Sequence, residues 1–103
     1  MINRLFADEV IRQENLAIGV MNASNQTGLA AQGEKLITNL GGRLVEVGDW
    51  PEETTGCLLK TTSTAKKSYT SQKLAKIFHC QIETGLSGGE RWDLLIILGK
   101  DSW

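Results

Sequence analysis

The apolar residues near the start of this chain change from a continuous run to the spacing of a helix. An apolar run over residues 16–21 precedes a polar turn over residues 22–28, as expected for a strand that leads into a helix. The next apolar residues have the spacing of one helical face, and they are Leu29, Gly33, Leu36, Ile37 and Leu40. Gly41 and Gly42 follow, and glycine favours the left-handed conformation that ends many helices. The stretch therefore predicts a strand, a turn and a helix that ends before residue 41.

The rest of the chain predicts a second helix and four more strands. The predicted strands cover residues 43–47, 56–61, 80–84 and 92–98, and the predicted helix covers residues 65–78. Its buried face is predicted from helical spacing to carry Thr70, Leu74, Ile77 and Phe78. Apolar and polar residues alternate over residues 80–84, which indicates a peripheral strand exposed on one side. The run over residues 94–98 is apolar throughout, which indicates a central strand buried on both faces.

This order of elements, β-α-β-β-α-β-β, predicts an α/β domain with a mixed sheet and two main helices packed on it. A chain of 103 residues, 41% of them hydrophobic, is long enough for one core. We expect residues 14–103 to form the domain and residues 1–13 to form a lead-in segment, which is either a short helix over residues 3–12 or a linker. The buried strands need cover on both faces, either from helices on both or from one helical layer and the N-terminal segment.

Acidic and basic residues are unevenly distributed. The net charge is −1 and the isoelectric point is about 5.8, yet residues 54–82 contain no Asp or Glu. The basic residues of this segment are Lys60, Lys66, Lys67, Lys73 and Lys76. On an ideal helix Lys66, Lys73 and Lys76 lie within an arc of roughly 80°. Two interpretations follow: a solvated helix face, or a patch for an anionic partner.

The predicted topology suggests where such a patch would lie. If the first and third strands are parallel, the turn over residues 22–27 and the junction over residues 61–67 share one sheet edge. Both precede helices, whose N-terminal N–H groups favour anions. We therefore predict a shallow anion site formed by Asn22, Ser24, Asn25, Thr27, Thr62, Ser63, Lys66 and Lys67. The alternative for Asn22 and Ser24 is that they only brace the turn through hydrogen bonds.

The cysteine and tryptophan residues give weaker indications. Cys57 and Cys80 are too few for a disulfide scaffold; they could pair if their strands are neighbours, but two buried thiols are favoured. The other soft metal ligand is His79, beside Cys80, so we expect no metal site and no cofactor. Trp50, which precedes the one proline, is expected to pack over a loop rather than to stack on a ligand.

Residue types for catalysis are scarce. The chain has one histidine and no Walker A sequence, and no acidic residue interrupts its apolar runs. The glycine-rich segment over residues 85–91 is expected to be a turn between two strands and not the strand-to-helix elbow of a serine nucleophile. We therefore expect no catalytic residues and no enzymatic activity. Nucleic acid is not an expected partner either, because the chain is nearly neutral and has a single tyrosine for stacking.

Several segments resemble the C-terminal domain of LytR-type cell-envelope proteins. They are Glu14-Asn15-Leu16, Asn22-Ala23-Ser24 with Thr27-Gly28-Leu29-Ala30, Gly41-Gly42-Arg43-Leu44-Val45, Thr54-Thr55 with Cys57-Leu58-Leu59, and Leu94 to Gly99 with Lys100-Asp101. The resemblance extends over residues 5–101, and its most specific parts are the Asn-x-Ser/Thr turn and the closing Gly-Lys-Asp. Ala23 departs from the family pattern, which has glycine at this position.

The resemblance implies a soluble, non-catalytic accessory domain of a membrane-anchored cell-envelope protein, located outside the cytoplasm. It implies as partner an anionic cell-wall polymer or another envelope protein, such as a LytR-type catalytic domain. The transfer of glycopolymers belongs to that separate domain, whose arginine- and aspartate-rich site has no counterpart here. The alternative is a structural or oligomerising domain that associates weakly with itself through the fourth strand and Trp103.

Overall fold

A computed structural model of the chain describes residues 9–24, 28–86 and 91–100. In these residues the helices are α1 (Glu9–Glu14), α2 (Leu29–Asn39) and α3 (Tyr69–Phe78). The strands are β1 (Ala17–Ala23), β2 (Arg43–Asp49), β3 (Cys57–Thr61), β4 (Cys80–Thr84) and β5 (Leu94–Gly99). This is the predicted α/β domain with a five-stranded mixed sheet, and α1 adds a third helix to the two main ones.

The last strand in the sequence is the middle strand of the sheet. The strand order is β2-β1-β5-β3-β4, and β5 pairs parallel with β1 and antiparallel with β3. All six residues of β5 are buried, which confirms the prediction from its unbroken apolar run. The alternating strand β4 lies at an edge, also as predicted.

Two β-α-β units flank β5 and run in opposite directions. The first is β1-α2-β2 and the second is β3-α3-β4, and each contains a parallel strand pair. Because such crossovers are almost always right-handed, two units related by a half-turn about the sheet normal place their helices on the same face. The main core agrees, since Ile18 and Val20 of β1 pack there with Ile37 of α2 and Leu74 and Phe78 of α3. The sheet thus has one helical layer, and α1 packs against α3 within it.

The opposite face of the sheet carries no helix in the described part of the chain. Its buried residues include Met21, Leu95 and Ile97, and two tryptophans, Trp50 and Trp92, pack against them. This cover differs from both arrangements expected from the sequence, because aromatic side chains from loops replace a helical layer. We call this side of the sheet the helix-free face.

Helix α2, the first of the two predicted main helices, follows the prediction closely. Leu29, Gly33 and Ile37 are buried along one side of α2. The helix ends in a Schellman motif, in which the N–H of Gly42 donates to the carbonyl of Ile37 at 2.9 Å and that of Gly41 donates to Thr38 at 3.0 Å. The φ of Gly41 is +96°, a conformation that explains why glycine stands there.

Helix α3, the second of the two predicted main helices, is shorter than predicted. A 3-10 turn over Ala65–Lys67 comes first, Ser68 is extended, and α3 begins at Tyr69. The prediction of one helix over residues 65–78 is wrong because the Ser68 hydroxyl accepts a hydrogen bond from the N–H of Ser71 and so caps a new helix. The predicted face is otherwise confirmed: Thr70, Leu74 and Phe78 are buried, and Ile77 packs against the core.

The described part of the N-terminal segment is helical over Glu9–Glu14, which overlaps the predicted span of 3–12 at residues 9–12 and extends two residues beyond it. Residues 3–8 of the predicted helix lie outside the described part. Ile11 is only 1% exposed, so this short helix contributes a side chain to the protein interior. The proposed division of the chain after residue 13 stays a prediction.

A disulfide joins Cys57 to Cys80, and the expectation of two buried thiols is therefore wrong. The two residues stand opposite each other on the parallel strands β3 and β4, with Cα atoms 4.4 Å apart. β3 and β4 are adjacent only because the chain crosses over through α3, so the local sequence around each cysteine could not predict the disulfide. The disulfide ties an edge strand, β4, to the interior of the sheet.

Removing this disulfide should destabilise the domain. We expect the double variant C57A/C80A to lose about 2–4 kcal/mol of unfolding free energy, because the cross-link restricts the unfolded chain. Urea denaturation with and without a reductant measures the loss. Reductant should destabilise the parent chain by a similar amount and leave the variant unchanged; equal stabilities of parent and variant would contradict a formed disulfide.

Candidate functional site

The two halves of the predicted anion site lie at opposite ends of the sheet. Since β5 is parallel to β1 and antiparallel to β3, β1 and β3 run in opposite directions. The turn after β1 and the junction after β3 therefore cannot share an edge, and that prediction is wrong. The reason is the link over residues 50–56, which is too short for the crossover of a dozen or more residues that parallel strands need.

At the end of β1, Asn22 and Ser24 brace the chain. The Asn22 Oδ1 atom accepts hydrogen bonds from the N–H of Ser24 at 3.0 Å and from its hydroxyl at 2.7 Å. Ser24 is buried. These contacts are those of the bracing alternative. Asn25 and Thr27 of the predicted site lie outside the described residues.

The link between β2 and β3 crosses this same end of the sheet. The N–H of Trp50 donates to the Asn22 carbonyl at 2.8 Å, and the N–H of Thr54 donates to the Ala23 carbonyl at 3.0 Å. Further along, the N–H of Gly56 donates to the Lys100 carbonyl at 2.8 Å. Backbone hydrogen bonds therefore hold the link, which we call the 50–56 loop, across the ends of β1 and β5.

At the other end of the sheet, the structure brings together the four remaining predicted residues. Thr62 organises the segment, because its hydroxyl accepts from the N–H of Ala65 at 3.1 Å and its carbonyl accepts from the N–H of Lys66 at 3.0 Å. Ser63, Lys66 and Lys67 are exposed. This end therefore presents one hydroxyl and two ammonium groups to solvent, held by a short hydrogen-bonded turn.

A carboxylate of the protein already occupies the N-terminus of α3. Glu14 accepts hydrogen bonds from the N–H of Tyr69 at 2.9 Å and of Thr70 at 2.7 Å, and also from the Thr70 hydroxyl. The N-terminal amides that were expected to attract an external anion are therefore satisfied internally. Sequence reasoning missed this role because the partners lie 55 and 56 positions from Glu14.

The cleft beside Glu14 is acidic rather than basic. It is a cavity of about 200 Å³ whose lining includes Glu14, Thr62, Ser68 and Asp93. The Asp93 carboxylate accepts from the N–H of Ala17 at 2.9 Å. Two carboxylates at this cleft disfavour an anionic ligand inside it. Contact with an anion at this end therefore falls to the exposed lysines outside the cleft.

Four lysines form what we call the lysine surface, namely Lys66, Lys67, Lys73 and Lys76. The break at Ser68 takes Lys66 off the α-helix, so the predicted single helical arc is wrong. A hydrogen bond from the Gln72 side chain to the Lys66 carbonyl at 3.0 Å holds the 3-10 turn against the exposed side of α3. On α3, Lys76 follows Gln72 by four residues and Lys73 by three, so these side chains share one side of the helix.

No carboxylate in the described part of the chain lies within ion-pair distance of the lysine surface. Lys60, the fifth lysine of the acid-free segment, lies elsewhere, beside Trp50. Within the described residues, the lysine surface is therefore not compensated by ion pairs.

The described residues contain no group of three or more His, Cys, Asp or Glu side chains placed to hold a metal ion. They also contain no helix with the length and hydropathy needed to cross a membrane.

The fold and surface define a small α/β module with an open basic side, built on a sheet with one helical layer. Residues 15–101 match the family model described as LytR cell envelope-related transcriptional attenuator. The chain therefore belongs to the LytR C-terminal family, which makes it an accessory cell-envelope domain and confirms the resemblance seen in the sequence. Searches of curated proteins and of solved structures gave no significant match.

Replacing Glu14 should weaken the attachment of α1 to α3. We expect E14A to lower the unfolding free energy by about 1–3 kcal/mol, because two backbone donors lose a charged acceptor. Urea denaturation measures this change, and amide hydrogen exchange at Tyr69 and Thr70 should become faster. E9A removes an exposed carboxylate from the same helix and serves as the control. Equal stability of both variants would contradict the capping role.

Proposed function

We propose that this domain is a non-catalytic accessory module that binds an anionic cell-wall polymer outside the cytoplasm. The observation that carries the proposal is the lysine surface, four lysines of the 3-10 turn and α3 that have no carboxylate partner in the described residues. Its envelope context comes from membership of the LytR C-terminal family.

The geometry favours a surface contact over a buried one. Glu14 fills the helix N-terminus, and the adjacent cleft is acidic, so neither offers a pocket for phosphate or carboxylate groups. Exposed lysines can instead follow the repeated charges of a polymer, with many weak contacts that salt screens. Ser63, which is exposed in the same turn as Lys66, would add a hydroxyl group to this contact.

The parent protein would be membrane-anchored, and its chemistry would belong to another domain. This domain would then hold the polymer, or a LytR-type catalytic domain, close to the reaction. The sequence supports this division of labour, because it lacks the arginine- and aspartate-rich site of the catalytic domain.

Charge removal tests the proposal. We expect K66Q/K67Q to lose roughly tenfold or more of its retention on purified cell wall, since a lysine near an anionic surface contributes about 1 kcal/mol. Retention of the parent chain should fall at high salt and after chemical removal of the anionic polymers.

The control for this experiment has the same net charge. K35Q/R91Q also removes two positive charges, but Lys35 lies on α2 and Arg91 forms an exposed ion pair with Glu46. Equal retention of the two double variants, or retention that does not depend on the polymers, would overturn the proposal.

A second candidate function, weak self-association, rests on the edge strand β2. Val45 and Val47 are 40% and 39% exposed, and one side of β2 has no partner strand in the part of the chain that the structure describes. Exposed apolar edges tend to pair with other chains. The self-contact predicted from sequence used β4, which is the other edge, and Trp103, which lies outside the described residues.

Sedimentation velocity over a range of concentrations tests self-association. If β2 is the contact, the sedimentation coefficient should rise with concentration, and V45K/V47K should abolish the rise by placing charges along the edge. V10K alters a similarly exposed valine on α1 and should not. A monomer at every concentration would exclude this candidate.

A further inference from the structure

The helix-free face of the sheet carries a cavity beneath the 50–56 loop. Its volume is about 230 Å³, roughly that of eight water molecules at 30 Å³ each, which gives room for one sugar ring. The floor is apolar and includes Leu58 of β3 and Ile97 of β5. Its walls carry an aromatic ring and polar groups from Trp50, Thr54, Thr55, Lys60 and Gln81.

Trp50 and Lys60 are held together at this cavity. The backbone of Trp50 is fixed by its hydrogen bond to Asn22, and its side chain packs against the core of the helix-free face. The Lys60 Nζ atom lies 5.9 Å from the centroid of the Trp50 ring, within cation–π range. An aromatic plane and a positive charge therefore border the same space, and both side chains are only half-buried.

The surroundings leave this positive charge available. Glu83 stands opposite Lys60 on β4, but in the described structure the two side chains form no ion pair. A neighbouring carboxylate also limits how much negative charge the cavity can accept. The electrostatics therefore suit a ligand with one acidic group better than a polyanion.

The other groups match the remaining surface of a sugar. The C–H faces of a sugar ring are apolar and carry slightly positive hydrogens, which suit the negative face of an indole ring. The Gln81 amide and the hydroxyls of Thr54 and Thr55 can donate to and accept from sugar hydroxyls. An apolar pocket with a few convergent polar groups is the usual form of a small-ligand site.

We infer that this cavity binds a single acidic sugar, with its ring on Trp50 and its acid group at Lys60. The site is separate from the lysine surface, which lies on the helical side of the sheet. The choice of a sugar rests on the proposed cell-wall function, whereas the preference for one negative charge rests on Lys60 and Glu83.

Titration of the ¹⁵N-labelled chain with three probes tests the inference by NMR. N-acetylmuramic acid has both a sugar ring and a carboxylate, N-acetylglucosamine has the ring alone, and lactate has the acid alone. N-acetylmuramic acid should shift the Trp50 indole N–H, the Gln81 side-chain amide and the backbone amides of the 50–56 loop. N-acetylglucosamine should bind about tenfold more weakly, and lactate should not shift these signals.

Two variants assign the contacts. K60Q should bring N-acetylmuramic acid down to the affinity of N-acetylglucosamine, and W50A should abolish binding of both. K60Q replaces a half-buried surface residue, so it keeps the test valid if W50A does not fold. The matched controls are K35Q and Y69A, which remove a lysine and an aromatic ring from the helical side. Absence of shifts at Trp50, or equal binding by K60Q and the parent chain, would overturn the inference.

The sugar titration and the wall-retention experiment test the two proposed sites separately. Wall retention that survives K66Q/K67Q would remove the proposed polymer contact but leave the sugar titration unaffected. Conversely, polymer-dependent retention without any response at Trp50 would remove only the sugar site.

Discussion

The whole architecture depends on the burial of β5 between β1 and β3. Its five apolar side chains, Leu94 to Leu98, are at most 2% exposed, and each contributes about 1.5–3 kcal/mol by burial. Its parallel pairing on one side and antiparallel pairing on the other join two β-α-β units into one sheet. Without β5 the two units would share no strand pairing in this sheet.

That arrangement also decides where the functional surfaces lie. With the two units related by a half-turn, both helices cover one face and leave the other to tryptophans and loops. The same half-turn sends the loop after β1 and the loop after β3 to opposite ends. An open basic side and a loop-covered cavity on opposite faces are thus two results of one topological fact.

Much of the fold was readable from local pattern. The spacing of Leu29, Gly33 and Ile37 predicted α2, because a helix buried on one face has apolar residues at helical intervals. The uninterrupted run in β5 predicted its central place, because a strand buried on both faces is apolar at every position. The division of the second predicted helix at Ser68 was harder, since a serine in a polar run can cap a helix or sit inside one. The direction of β3 was also encoded locally, because the link over residues 50–56 is too short to join parallel strands. The expectation that β1 and β3 are parallel was therefore wrong for a reason present in the sequence.

The site was less predictable, for a physical reason. The bracing of Ser24 by Asn22 is local and was among the expected alternatives. The capping of α3 by Glu14 and the pairing of Lys60 with Trp50 depend on residues from different strands and helices, brought together only by tertiary packing. Charge distribution along the sequence showed that the lysines were unusual, yet it could not show that Lys60 lies on a different face from the rest.

The disulfide has a consequence for how the domain responds to proteolysis. Cys57 and Cys80 close a covalent ring that contains the 3-10 turn, α3 and all five lysines of the acid-free segment. A protease that cuts the exposed turn at residues 63–64 opens this ring without releasing either piece, because both cut ends remain attached through the sulfur atoms. The part of the domain with the highest density of positive charge is therefore also the part that a single nick cannot detach.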